Sequence, residues 1–337
     1  MRPFEPLFRN PHILTILGNF WPRGHDFTPY PQESRLIRTE DDTQVLVQTQ
    51  RPKGNPVGEI VLVHGLEGDG SSGYIRSMAF DALNAGFISH RFHMRTCGGT
   101  ENLCKTLYHG GLTHDLRSFL EQTRAEGRSL PLFLIGFSLG GNLSLKLAGE
   151  LGETDLITGV CAVSTPIDLG AGARRLRDRE NRIYEQRFVD RMRKRVLATG
   201  RFSADELNAC KTLYELDDRI TAPSFGFQGA EHYYTTQSSI GFLDRIRVPT
   251  LLVQAKDDTF IPFEMYERAG LAVNGKPSSN PPNKHLRLIV TEHGGHLGFL
   301  SRRGPRFWID EIVIGFLQQV ISKSKTESAE AGAGTAR

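Results

Sequence analysis

Ser138 lies within Gly136-Phe137-Ser138-Leu139-Gly140, and a serine in such a setting offers one chemistry above others, attack on an acyl carbon. A hydroxyl is a poor nucleophile until an imidazole takes its proton, and the imidazole works best when a carboxylate fixes its tautomer. Two later segments supply both groups. The run Lys256-Asp257-Asp258-Thr259-Phe260-Ile261-Pro262 offers two carboxylates, and Glu292-His293-Gly294-Gly295-His296-Leu297-Gly298-Phe299 offers two imidazoles. Asp258 precedes Pro262 by four positions, a spacing suited to an acid turn, and is preferred over Asp257. His296 has Gly294, Gly295 and Gly298 around it, which leaves room for a reacting ring, and is preferred over His293. The oxyanion of acyl transfer needs two backbone donors. Leu139 N–H supplies one by position, and Leu66 N–H, after His64-Gly65, is the simplest source of the other.

These residues need elements that bring them to one place. Residues 132–135 are apolar throughout, as in a strand buried on both faces, and 142–151 have helical periodicity. Ser138 therefore falls on a strand-to-helix turn, where small residues two positions either side let neighbouring chain pass. The helix that follows aims its free amides and dipole at charge forming near the serine. Further strands are expected at 59–64, 87–92, 157–163, 250–254 and 286–290, and an amphipathic helix at 112–124. Strands alternating with helices indicate a mostly parallel sheet covered on both faces, which binds ligands at the carboxyl ends of its strands. The order serine, aspartate, histidine along such a sheet is that of the α/β-hydrolase fold. The alternation breaks over 165–247, where an insertion is expected to form a helical cap. The resulting organisation is a core over 1–164 with an arm at 8–23, the cap over 165–247, a second core segment over 248–323, and a disordered polar tail over 324–337.

Bulk properties narrow the partners. The 337 residues carry 41 Lys and Arg against 38 Asp and Glu, a formal charge of +3, which implies no nucleic-acid partner. Cys97, Cys104, Cys161 and Cys210 form no C-x-x-C pair and lack metal-ligand spacing, so they read as reduced thiols, and no metal or organic cofactor is expected. Cys97 near a strand end has no evident base and is not preferred as a nucleophile. His64 and Asp69 spell an H-x4-D pattern found in some acyltransferases, but they occupy the proposed oxyanion loop. Prolines and charges interrupt the first ten residues, and no apolar run is long enough to span a bilayer, so a soluble cytoplasmic protein is expected. The run 174–195 is strongly basic. It reads as a solvated cap helix or as a surface drawn to anionic membrane or acidic substrates. Tyr233 and Tyr234 read equally as pocket lining or as packing between cap and core.

The chain also resembles the YheT-type, EMB8-like branch of the α/β-hydrolase superfamily, which includes the ABHD-type lipases of mammals. The matching residues are Asn10-Pro11-His12 through Ile16, His64-Gly65-Leu66-Glu67-Gly68, Gly136 through Asn142, Phe225-Gly226-Phe227 with Tyr233-Tyr234, Asp257-Asp258, and Gly294 through Phe299. The resemblance implies a Ser-Asp-His carboxylic ester hydrolase acting on a small-molecule or lipid ester. The chain departs from that branch at Arg95-Thr96-Cys97-Gly98-Gly99, where relatives often read Arg-Gly-Cys-Ser-Gly. It is also read as lacking the N-terminal membrane anchor of many eukaryotic members. The same triad would serve a thioesterase, amidase or acyltransferase, and the fold alone would serve a non-catalytic lipid-binding protein.

Overall fold

The structure, a computed structural model, describes residues 2–334. Eight strands form its main sheet: β1 (Gln32–Glu40), β2 (Thr43–Gln50), β3 (Gly58–Val63), β4 (Phe87–Phe92), β5 (Leu132–Phe137), β6 (Gly159–Val163), β7 (Thr250–Ala255) and β8 (Leu286–Thr291). They lie in the order β1-β2-β4-β3-β5-β6-β7-β8. Only β2 runs against the rest, antiparallel to both β1 and β4. The β3–β8 strands are parallel, because each connection between them crosses a face of the sheet. This is the α/β-hydrolase fold expected from the alternation.

Alternation along each central strand divides the core into two layers. In β5, Leu132 and Leu134 face one layer, while Phe133, Ile135 and Phe137 face the other. The first layer takes Leu116, Phe119 and Leu120 from α3 (His114–Ala125) and Leu143 and Leu147 from α4 (Leu139–Leu151). The second takes Ile75 and Met78 from α2 (Gly73–Asn84), with Trp308 and Ile312 from the last helix. With both faces covered, strands such as β5 are buried at every position and read as continuous apolar runs.

The arm contains α1 (Pro11–Phe20), capped by the Asn10 side chain accepting from Ile13 N–H, with proline at its start. It packs closely enough on the loop after β8 that a Cβ at Gly18 would sit 2.6 Å from Gly298 Cα. Between β6 and β7 the chain is helical, with α5 (Leu169–Leu176) and the long α6 (Arg182–Ala198) leading. The last helix runs Trp308–Gly334, past residue 323 where the second core segment was expected to end. The polar segment expected to be a disordered tail includes four Ala and two Glu, good helix formers, and helix continues into it as far as Gly334. Residues 335–337 of that segment lie outside the described residues.

Candidate active site

Sheet register gathers the predicted residues at one edge. Val63 of β3 pairs with Gly136 of β5, which sets Leu66 and Ser138 just beyond neighbouring strand ends. Thr291 of β8 pairs with Ala255 of β7, which sets the loops carrying His296 and Asp258 side by side. Ser138 holds φ at +53° and ψ at −121°, a sparsely populated conformation that turns its side chain out of the strand. A Cβ at Gly140 would strike the Val63 carbonyl oxygen, so only glycine fits there.

His296 Nε2 lies 3.0 Å from Ser138 Oγ. Its Nδ1 lies 3.0 Å from Asp258 Oδ1 and 3.1 Å from Oδ2. Asp258 is buried and held by further donors: Oδ1 accepts from the Phe260 and Ile261 amides at 2.9 and 3.1 Å, and Oδ2 from Gln254 Nε2 at 3.2 Å. A carboxylate so fully engaged cannot swing away from the imidazole. The His296 amide in turn donates to Thr15 Oγ1 of the arm at 2.8 Å. The ring of Phe260 packs against His296 at 4.5 Å between centroids.

Asp257 and His293, the alternatives within each pair, bind each other instead. His293 Nδ1 is 3.0 Å from Asp257 Oδ2, and Gly295 N–H donates to Oδ1 at 2.9 Å. The second pair ties the acid loop to the histidine loop.

Leu66 and Leu139 line the same cavity as Ser138. Leu139 opens α4, so its N–H has no acceptor within the helix. On either side of Leu66 the amides of Gly65 and Glu67 donate to the hydroxyls of Tyr74 and Tyr108, each at 2.9 Å. Among the described residues the Leu66 N–H itself has no acceptor. Glu67, the next residue in the loop, holds a left-handed φ of +53°.

The model of the alpha/beta hydrolase family matches residues 60–307. Over 320 residues the chain is 31% identical to "Putative esterase YheT" of Escherichia coli (strain K12), covering 92% of this chain and 91% of that one. The chain belongs to the alpha/beta hydrolase family, in its YheT-type branch. It is also 27% identical over 272 residues to a monoacylglycerol lipase of Saccharomyces cerevisiae, covering 77% of this chain and 58% of that one. Among solved structures the esterase Pf2001 of Pyrococcus furiosus superposes with a TM-score of 0.57, at 16% identity, covering 95% of this chain and 99% of that one. That likeness is one of fold.

In this α/β hydrolase Ser138 sits where two cavities meet. The first is apolar, with an empty volume of about 700 Å³ including its opening, and is lined by Leu66, Leu139, Leu176, Met192 and Tyr233. The second, about 1160 Å³ on the same measure, is lined by His296, Ile16, Phe20, Ile183, Arg187 and Arg191. His296 borders only the second. Tyr233 and Tyr234 both line the first cavity; the Tyr233 hydroxyl also accepts from Gly110 N–H of the core at 2.8 Å, while that of Tyr234 binds Asp217 within the 165–247 stretch at 2.7 Å. Burial pushes the Asp217 carboxyl up to about 6.

Several members of the basic run meet partners of different kinds. Arg175 pairs with Asp178 and Glu180, Arg193 caps the Leu207 and Cys210 carbonyls, and Arg195 turns inward onto Glu67. That last contact gave no sequence signal, since nothing local separates Arg195 from its neighbours. The four cysteines are unpaired and buried, and burial raises the Cys97 thiol, which disfavours a thiolate there. His64 has both ring nitrogens engaged, Nδ1 with Gly65 O at 2.8 Å and Nε2 accepting from Met94 N–H at 3.1 Å, so neither is free to act as a base. Among the described residues no cluster suited to a metal ion occurs, and no helix is long and apolar enough to cross a membrane.

Proposed function

We propose that this α/β hydrolase is a serine carboxylic ester hydrolase working through an acyl-enzyme. The observation supporting it most directly is the continuous hydrogen-bond relay from Asp258 through His296 to Ser138, placed at the junction of two cavities. In the first step Ser138 Oγ attacks the ester carbonyl carbon while His296 Nε2 takes its proton. The carbonyl oxygen becomes an anion held by the Leu66 and Leu139 amides. Asp258 accepts from Nδ1–H, fixing the tautomer and stabilising the imidazolium. The carbon–oxygen bond to the alcohol then breaks, the alcohol leaving with the proton from His296. Water deprotonated by the same imidazole cleaves the acyl-enzyme and restores Ser138.

The cavities divide the substrate. His296 must reach the leaving oxygen and the incoming water, so the alcohol belongs in the second cavity, which His296 lines. The acyl chain then occupies the apolar first cavity, beside both oxyanion amides. We read residues 165–247 as a cap roofing both, over a core made of 1–164 and 248–323. A small-molecule or lipid ester is the substrate class this division suits, in keeping with the names of relatives such as the yeast monoacylglycerol lipase and human phospholipase ABHD3.

A fluorophosphonate probe and p-nitrophenyl butyrate test the proposal. Labelling of the protein at Ser138, with both labelling and turnover lost in a folded Ser138→Ala variant, is the expected result. A wild-type protein that resists the probe and leaves the ester intact, while an ordinary esterase reacts, would leave a binding protein as the better reading.

A further inference from the structure

We propose that the mouth of the second cavity docks on an anionic lipid bilayer, with α1 and the exposed face of α6 as the contacting elements. The surface has an apolar part and a charged part. On α1, Ile13, Ile16 and Phe20 recur at helical spacing and are 41%, 45% and 58% exposed. On α6, Ile183 is 83% exposed, the most of any large apolar side chain described. Scattered apolar residues on a surface need no explanation, but these four lie on two touching helices and three of them line one cavity.

The two helices are joined in a fixed arrangement. His12 stacks on Tyr184 at 5.7 Å between ring centroids, and the Arg187 guanidinium lies 5.3 Å over the Phe20 ring. Beside the apolar residues stand Arg187, Arg191 and Lys194, at intervals of four and three along α6 from Ile183 and on the same exposed side. Among the described residues none of the three has an ion-pair partner. The acids of this segment are engaged elsewhere: Asp178 and Glu180 with Arg175, Asp190 with Arg193 and Gln186, and Glu185 buried against the Leu213 amide. The unpaired charge left at the mouth is therefore positive.

Apolar side chains at the rim with arginine and lysine between them are the chemistry of a bilayer interface, where the former enter the acyl boundary and the latter meet lipid phosphates. A second copy of this chain would bring the same positive charges face to face, which opposes a symmetric dimer through this surface. Docking in this orientation opens the second cavity toward the bilayer. It requires no turnover, so its test is independent of the ester reading.

The experiment uses the full chain carrying Ser138→Ala, sedimented with phosphatidylcholine vesicles with or without phosphatidylglycerol. The expected result is binding that needs phosphatidylglycerol and weakens steeply with added salt. Arg187→Gln with Arg191→Gln should weaken that binding about thirtyfold. Ile13→Ser with Ile183→Ser should weaken it by roughly tenfold or more. Val273→Ser, an exposed apolar residue on the small hairpin formed by Ala272–Val273 and Lys276–Pro277, should leave it unchanged. Circular dichroism and urea midpoints confirm that each variant folds. Absence of vesicle binding overturns the proposal, as does binding that survives both double changes. A dimer in analytical ultracentrifugation that Ile13→Ser with Ile183→Ser dissociates would give the surface to a second copy instead.

Discussion

Arg195 and Glu67 form a buried ion pair, Nη2 to Oε1 at 2.8 Å, that joins α6 to the loop bearing the proposed oxyanion amide of Leu66. The pair is part of a larger arrangement. Arg195 Nη1 donates to Thr96 Oγ1 at 2.7 Å, its guanidinium lies 4.5 Å over the Tyr108 ring, and Tyr108 Oη is 3.0 Å from Glu67 Oε1. These contacts hold Glu67 in its left-handed conformation, which costs about 1–3 kcal/mol on its own. Under the mechanism proposed above, Arg195 would act through the loop that carries Leu66, as a positioning residue.

Removing one partner of such a pair leaves a buried charge, so Arg195→Met is expected to cost about 3–5 kcal/mol of stability. Lowered stability alone would not reveal a positioning role. The diagnostic is kinetic: in Arg195→Lys, which keeps the charge, kcat for p-nitrophenyl butyrate should fall roughly tenfold with KM nearly unchanged, because the oxyanion exists only after attack. Glu67→Gln should behave likewise, and the double variant should lose much less than the product of the two. Independent, multiplying losses would separate the pair from the oxyanion loop.

The neighbouring carboxylates Asp257 and Asp258 should differ sharply in effect. Asp258 binds His296, so Asp258→Asn is expected to lower kcat by roughly three to four orders of magnitude, the loss seen when an imidazole is left in the wrong tautomer. Asp257 binds His293 and the Gly295 amide, so Asp257→Asn should cost stability with less than about a tenfold effect on kcat. Steady-state kinetics alongside urea unfolding distinguish the two. The reverse ranking would mean that the loops rearrange when substrate binds.

Much of this site was legible because its chemistry is local. Ser138 declares itself by a turn that excludes side chains at Gly140, and Asp258 and His296 by punctuated loops following apolar strands. The preference for Asp258 over Asp257 drew on a short-range spacing, that of Asp258 to Pro262. Contacts across the chain left no such trace. Thr15 supports His296 from 281 positions away, and Arg195 reaches Glu67 from 128 positions away. Each is an ordinary residue for its helix, and only folding reveals what it meets. Likewise β1 has one fully buried position, Ile37, and no clear alternation, so its place at the sheet edge is set by pairing with β2. The helix after 323 went unexpected for a different reason: that stretch of sequence has no apolar periodicity, and propensity alone is a weak signal.

Two buried histidines and one buried aspartate give opposing pH dependences. Burial lowers His93 to about 4 and His109 to about 3, the cations of Lys146 and Arg95 adding to the effect on His109. Their folded pKa values lie below the unfolded value of about 6.5, so the unfolded chain binds more protons as pH falls, and stability present above about 6.5 is lost toward acid. Burial raises Asp310 to about 7, so its contribution runs the other way, present in acid and lost as pH rises toward 7. The net slope is a partial cancellation, which single variants resolve. From pH 7 to 5, His109→Gln should gain about 2 kcal/mol relative to the parent, and Asp310→Asn should lose about 2 kcal/mol. Urea midpoints at the two pH values measure both. Parallel shifts in the two variants would show that neither group titrates in the folded protein as its burial requires.

The division of the substrate between cavities makes a prediction about chain length. Ala173 lines the first cavity from α5, in company with Leu169 and Leu176, and its side chain is small and buried. Ala173→Phe would fill part of this cavity while leaving the residues Ser138, His296, Leu66 and Leu139 unchanged. If the acyl chain lies there, kcat/KM for p-nitrophenyl decanoate should fall by about tenfold or more, since each excluded methylene is worth about 1 kcal/mol or more of binding. Turnover of the acetate ester, which has no chain to extend along the cavity, should stay within about twofold, because the transition-state contacts of the carbonyl are kept. An acyl chain placed in the second cavity instead would be blind to Ala173→Phe and sensitive to Ile16→Trp, whose side chain lines that cavity. Measuring both variants across acetate, butyrate and decanoate assigns the acyl and alcohol sides by which of them shortens the accepted chain.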